Sequence, residues 1–316
     1  MEHREKILDL RETSFFEKGH IPGSISFPIF EKGELEDVRN MSVEDRERHF
    51  RSKYQKMESS LVDKLGYQSF TYYCQKGEVE SRFFKNWFGP EFQEGKSLKG
   101  GYNAYRKRVN RFWAEKHELI VITGLTGSGK TEVLEILERE GYPVLNLEKI
   151  TNHKGSVFGG IDADTEISQE QFENEIYWLF QQDGPIIMEM KGRYLGQLYL
   201  PIQFYEQIEK APKIQLEVPL NLRVARLVDT YCGKDDSFLR RQVELLGDRL
   251  ADNDLKRATG ALENSDYRLF IEILLHYYDQ SSVYRKMGED PGFKVNGTTP
   301  EECVSVIKKV LPHKKK

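Results

Sequence analysis

Short apolar runs alternate with stretches of helical period along most of the chain, the alternation that a parallel α/β architecture requires. Lys6-Ile-Leu-Asp-Leu-Arg11 reads as a short strand ending in charge, and Ser24-Ile-Ser-Phe-Pro28 as a second. Residues 31–65 are charged with a helical period; Gln68-Ser-Phe-Thr-Tyr-Tyr73 then predicts a strand and Ser81 to Phe88 a helix. A longer helix is predicted from Tyr102 to His117. The apolar run Leu119-Ile-Val-Ile-Thr123 predicts a buried strand, and the helix after it carries Val133, Leu134 and Leu137 on one face. Tyr142-Pro-Val-Leu-Asn-Leu147, Pro185-Ile-Ile-Met-Glu189 and Lys213-Ile-Gln-Leu-Glu-Val218 predict three further strands, with a helix from Gln169 to Phe180 between the first two. Beyond Asn221 the pattern is all helical, and His313-Lys-Lys-Lys316 reads as a disordered basic tail. The expected division is 1–115, 116–220 and 221–316.

Between the strand at 119–123 and its helix lies Gly124-Leu-Thr-Gly-Ser-Gly-Lys130-Thr131, which fits G-x-x-x-x-G-K-[ST]. Strand, glycine loop and helix are what a phosphate cradle needs. Glycines let backbone N–H groups approach an anion, the helix N-terminus adds partial positive charge, and Lys130 adds a full one. Gly124, Gly127, Ser128, Gly129, Lys130 and Thr131 are therefore the candidate diphosphate-binding residues, although the loop itself does not choose between a diphosphate and another polyphosphate. Glu148 and Glu189 are the two carboxylates placed to orient Mg²⁺ or its water; each also reads as an ordinary strand-end charge. Whether a metal is required is left open.

A second strand–loop–helix unit delivers Cys74 into Gln75-Lys-Gly-Glu-Val-Glu80. A thiol there is either a nucleophile, its thiolate stabilised by loop amides and a helix N-terminus, or one more buried cysteine at a strand end. Cys232 and Cys303 read as buried structural thiols.

The net charge of −4 over 316 residues does not announce a nucleic-acid partner. The helix from Tyr102 to His117 changes that picture locally, because Arg106, Lys107, Arg108 and Arg111 interleave with Tyr105 and Trp113. It is either a solvated face or a phosphate-contact surface suited to RNA. No apolar run approaches about 18 residues, and Met1-Glu-His-Arg-Glu-Lys6 has no signal-peptide pattern. With three cysteines lacking metal-ligand spacing, the expectation is a cytoplasmic protein with no membrane and no DNA partner.

Asp9-Leu-Arg11, Gly19-His-Ile-Pro-Gly23 and the Cys74 loop together resemble a rhodanese domain. With the glycine loop downstream and Asn152-His-Lys-Gly-Ser-Val-Phe-Gly159 after it, the whole chain resembles the tRNA 2-selenouridine synthases. Asn146-Leu-Glu148, Gly192-Arg193 with Pro201, and Leu274-Leu-His-Tyr-Tyr-Asp279 add to the likeness. The resemblance implies an α/β chain: a rhodanese-like α/β domain, then a P-loop NTPase-like parallel α/β domain with a helical C-terminal region. It also implies a transferase acting on tRNA that carries 2-thiouridine at the wobble position. Geranyl diphosphate first alkylates the sulfur, and selenium from selenophosphate then replaces the S-geranyl group. Both donors are substrates, with no tightly bound cofactor expected.

On that implication Cys74 carries selenium within a loop that includes Lys76, Gly77, Ser81 and Arg82. The glycine loop holds the diphosphate, and His153 and Arg193 contact substrate. His20 reads as structural. One departure matters: relatives usually place arginine where this chain has Glu80, and a carboxylate there disfavours a thiolate. Lys76 and Arg82 are the cations available to offset it. Glu80 also favours an alternative, a P-loop kinase or nucleotide-dependent switch whose rhodanese domain has degenerated into a binding module.

Overall fold

The computed structural model describes residues 6–65, 69–88, 95–151, 167–233, 236–247, 249–280 and 292–311. His153, with the rest of Asn152–Gly159, and the basic tail fall outside them. The chain divides into two compact units. The first contains residues 1–115 together with 167–178, and the second contains 116–166 with 179–316. Two points differ from the expected division. The helical region beyond 221 belongs to the second unit, and residues 167–178 pack with the first.

The first unit is built on a four-stranded parallel sheet of order β2-β1-β3-β4. Its strands are β1 (Lys6–Asp9), β2 (Ser24–Ser26), β3 (Phe70–Tyr73) and β4 (Gly95–Ser97). β3 buries Phe70, Tyr72 and Tyr73, and an aromatic core of Phe27, Phe83, Phe84 and Phe88 closes over the sheet. Aromatic side chains bury large apolar areas, which suits a sheet of such short strands. Cys74 follows β3 directly, at the C-terminal edge of the sheet.

The borrowed segment lies in the helix Gln169–Leu179. It is held by polar side chains that would be costly to bury unpaired. Asn174 is fully buried, and its amide donates to the His20 carbonyl and to the Tyr102 hydroxyl. Gln171 accepts from the His20 backbone N–H at 2.8 Å.

The second unit holds a five-stranded parallel sheet of order β11-β10-β5-β7-β6. The strands are β5 (Leu119–Gly124), β6 (Val144–Leu145), β7 (Ile186–Glu189), β10 (Lys213–Glu217) and β11 (Phe293–Asn296), while β8 (Tyr194–Leu195) and β9 (Leu198–Tyr199) form a separate hairpin. The helix Lys130–Arg139 buries Val133, Leu134 and Leu137, as its period predicts. The helices Leu220–Tyr231, Asp236–Leu246, Asp252–Glu263 and Tyr267–Asp279 enclose a core of their own.

Two elements correct the sequence reading. β11 interrupts the supposedly all-helical region and joins the sheet edge; only Val295 of its four residues is buried, too short a pattern to show a period. The strand expected from Tyr142 to Leu147 is only Val144–Leu145, because the Asn146 side chain accepts from Lys149 N–H and starts the short helix Leu147–Thr151. Glu148 therefore stands in a helical turn, not at a strand end. Cys232 and Cys303 are buried, as expected, and burial pushes the Cys232 thiol up to about 11.

Candidate functional sites

In the first unit the Cys74 loop is pinned by backbone. The Cys74 and Gln75 carbonyls accept from the Tyr102 and Asn103 N–H groups at 2.9 and 3.0 Å. A Cβ on Gly101 would lie 2.2 Å from the Cys74 carbonyl oxygen, and its φ is +58°, so only glycine fits this approach. That gives the Gly100-Gly101-Tyr102 segment a physical reason. The sulfur itself is 1% exposed with its residue, and the buried Ser81 hydroxyl donates to it at 3.1 Å. Gly77 takes φ +77° within the loop, while Lys76 and Arg82 are exposed.

Beneath the loop lies a buried ion pair. Arg11 Nε donates to Asp9 Oδ1 at 2.9 Å and Nη2 to Oδ2 at 2.5 Å. The same guanidinium reaches the Gly19 carbonyl at 2.7 Å and Gln75 Oε1 at 3.2 Å, and it stacks 3.7 Å over the Tyr102 ring. Burial works against the charged arginine, yet Asp9 outweighs it and raises its pKa. The Tyr73 hydroxyl donates to Asp9 Oδ2 at 2.8 Å, and burial, then Asp9, pushes that phenol strongly up. Asp9-Leu-Arg11 and the Gly19–Gly23 turn are thus joined by one guanidinium to the loop residue next to Cys74. His20 stacks on Phe16 and shares a 2.9 Å hydrogen bond with the Phe16 carbonyl, which is a structural role.

The basic helix, Gly101–Phe112, divides its charges. Arg106 pairs with Glu173 at 2.5 Å and donates to Asn174 Oδ1 at 2.7 Å, so its guanidinium is engaged inside the first unit. Lys107, Arg108 and Arg111 are exposed.

In the second unit Gly127 and Gly129 adopt φ of +78° and +84°, turning the loop into the helix at Lys130. The Ser128 hydroxyl is buried and, among the described residues, has no hydrogen-bond partner. A buried unpaired hydroxyl in an anion loop is a donor awaiting a ligand. Thr131 stands in the first turn of the helix. Lys130 Nζ folds back onto the Gly124 and Leu125 carbonyls at 3.0 and 3.2 Å and lies 3.6 Å from Glu189 Oε1. Burial lowers its pKa, against the pull of Glu189.

Glu189 reaches the loop because β7 pairs with β5, Glu189 opposite Ile122. Lys191 lies 3.5 Å from the same Glu189 oxygen and pairs closely with Glu148. Burial works to lower the Lys191 pKa, but Glu189 and Glu148 together raise it. Arg193 is used differently: its Nε donates to the Leu200 carbonyl at 3.0 Å, bracing the β8–β9 hairpin.

Two arginines of the helix Leu220–Tyr231 clamp the glycine loop from the other side. Arg226 Nη1 donates to the Gly127 carbonyl at 2.5 Å, and Arg223 to the Thr126 carbonyl at 3.1 Å. Arg223 is held by Asp279, with Nη2 to Oδ2 at 2.7 Å, which gives the end of Leu274–Asp279 a role. Amphipathic spacing hid both arginines, since a base on a helix ordinarily reads as solvated. Beside Leu125 a cleft of about 600 Å³ opens at the ends of β10 and β11, with Leu216, Val218 and Pro219 in its wall.

Residues 1–108 match the rhodanese-like domain family, and residues 117–262 match the tRNA 2-selenouridine synthase AAA domain. Over most of its length the chain is similar to the tRNA 2-selenouridine synthases. Among proteins of that name it is 29% identical to the one from Nitrosomonas eutropha, over 71% of this chain and 62% of that protein. The synthase from Nitrosomonas europaea is 28% identical over 71% and 63%, and that from Bdellovibrio bacteriovorus 28% over 83% and 73%. The chain thus spans less than two thirds of the two Nitrosomonas synthases. Solved structures align only loosely: TT1252 from Thermus thermophilus gives a TM-score of 0.32 over 62% of this chain and 100% of its own, at 16% identity.

Proposed function

We propose that this chain converts 2-thiouridine at the tRNA wobble position to 2-selenouridine through an S-geranyl intermediate. The observation that carries the reading is the pairing, in one chain, of two unlike centres. One is a buried thiol receiving a hydroxyl hydrogen bond at a sheet edge; the other is a glycine loop with a buried lysine and an unpaired buried hydroxyl. The kinship with synthases of that name supplies the reaction class.

The chemistry then divides between the centres. At the glycine loop the thiocarbonyl sulfur attacks C1 of geranyl diphosphate, a C–S bond forms, and the C–O bond breaks to release diphosphate. Lys130, Ser128 and the loop amides stabilise the charge that gathers on the leaving group. The cleft beside Leu125 supplies apolar wall for the prenyl chain. Alkylation makes the sulfur a competent leaving group. Selenophosphate, held at the Cys74 loop, then attacks C2 through its selenium. The C2–S bond breaks and geranylthiol departs, and water cleaves the P–Se bond to release phosphate and leave 2-selenouridine. The Ser81 hydroxyl donates to the Cys74 sulfur and orients it. Among the described residues no helix is long and apolar enough to cross a membrane.

Mass spectrometry of nucleosides from 2-thiouridine tRNA tests the reading. Geranyl diphosphate alone should yield S-geranyl-2-thiouridine, and addition of selenophosphate should yield 2-selenouridine. ATP turnover with no change in the tRNA would favour the kinase or switch instead.

A further inference from the structure

Four charged side chains alternate in sign beside the glycine loop: Glu148, Lys191, Glu189 and Lys130. Their side-chain exposures lie between 12% and 18%, so the contacts are shielded from water. Lys191 Nζ pairs with Glu148 Oε1 and lies 3.5 Å from Glu189 Oε1, the oxygen that Lys130 approaches at 3.6 Å. Glu148 and Glu189 are the carboxylates that a divalent cation at this loop would draw on. Mg²⁺ requires near-octahedral oxygen ligands at about 2.0–2.1 Å. Here the carboxylate oxygens already face ammonium groups, and a dication set among them would be repelled by both lysines. The residues present do not fit a divalent metal.

We propose that Lys191 is the resident cation of this site: its ammonium occupies the position between Glu148 and Glu189 that a metal would take, and the loop binds diphosphate without one. The inference rests on the reading of this loop as a diphosphate site and adds how its charge is met. A diphosphate brings more than one negative charge, and Lys130 supplies one positive charge. Lys191, drawn to the same Glu189 oxygen, supplies a second next to it; Glu148 and Glu189 balance these two, and Arg226 on the Gly127 carbonyl leaves the loop's surroundings net positive. Its place is fixed on both sides in sequence, by the end of β7 at Glu189 and by the Arg193-braced hairpin. Glu148 and Glu189 then orient the lysine instead of ligating an ion. Lys191 is a positioned anion contact, and the carboxylates act through it.

The test is calorimetric titration of the full chain with inorganic pyrophosphate, in EDTA and in Mg²⁺, for the parent, Lys191→Met and Lys191→Arg. EDTA should leave the parent affinity within about threefold of its value in Mg²⁺, while Lys191→Met should lose about tenfold or more in EDTA. Lys191→Arg keeps the charge and should retain metal-independent binding. Electron paramagnetic resonance without pyrophosphate gives a second readout: Mn²⁺ should bind Lys191→Met, whose carboxylates are released, more tightly than the parent. A parent that loses pyrophosphate in EDTA but binds it in Mg²⁺ overturns the Lys191 inference and leaves the diphosphate reading standing. Undiminished binding by Lys191→Met in EDTA overturns it as well. A parent that binds no pyrophosphate in either condition removes the diphosphate reading and this inference with it.

Discussion

The two units solve the same topological problem with opposite chemistry. Each places its candidate reactive group just beyond the C-terminal end of a parallel strand, in a loop that runs into a helix. In the first unit the loop is fixed by neutral backbone bonds from Tyr102 and Asn103, and the sulfur meets a serine hydroxyl. Charge is kept one layer below, in the Asp9–Arg11 pair. In the second unit charge surrounds the loop: Lys130 lies on its carbonyls, Arg223 and Arg226 clamp it, and Lys191 stands nearby. A bound polyanion is stabilised by preorganised cations, whereas the Cys74 sulfur meets a neutral hydroxyl donor. The loops look alike in outline because parallel sheets bind ligands at strand ends; what surrounds them sets the reaction.

The largest expected effect attacks the hidden charge of the first unit. Arg11→Met leaves Asp9 buried without its cation and should destabilise the chain by about 3–5 kcal/mol, read by denaturant unfolding. A loss well under that would show that the pair is not what holds the Cys74 loop. Next comes the charge of the second unit. Lys130→Ala should slow geranyl transfer by roughly 2–4 kcal/mol, about one and a half to three powers of ten, while S-geranyl tRNA supplied directly is still converted. Equal loss of both steps would break the separation of the centres.

Glu80→Arg sharpens the comparison from the other direction, by replacing a carboxylate near the thiol with a cation. Thiol alkylation of Cys74 at fixed pH should speed up by a few-fold, since a nearby positive charge favours the thiolate. The smallest effect concerns the exposed bases. Reversing Lys107, Arg108 and Arg111 together should reduce the salt slope of tRNA binding by about 2–3, if each meets one phosphate. The loss should be alike for all substrate tRNAs, because phosphate contacts position without specifying. An unchanged slope returns these residues to an ordinary solvated face.

How much of this was readable in advance follows from the kind of interaction involved. The glycine loop was legible because its spacing encodes backbone geometry directly, and Val133, Leu134 and Leu137 because burial on a helix leaves a period. Cys74 was legible as a thiol in a loop, but Ser81 as its partner depends on how the next helix begins. Arg106 looked like its exposed neighbours; only the fold brings Glu173, distant in sequence, onto it. The same limit hid the packing of residues 167–178 with the first unit, since chain order alone does not name a tertiary partner. Lys191 was missed for a simpler reason: a lysine two residues beyond a strand-end glutamate reads as surface charge until Glu148 is seen beside it.

The separation of the two centres is tested most directly by Cys74→Ala. Given 2-thiouridine tRNA with both geranyl diphosphate and selenophosphate, the variant should accumulate S-geranyl-2-thiouridine at the parental rate and form no 2-selenouridine, as read by nucleoside mass spectrometry. Formation of 2-selenouridine at the parental rate would make Cys74 a structural residue and contradict the account.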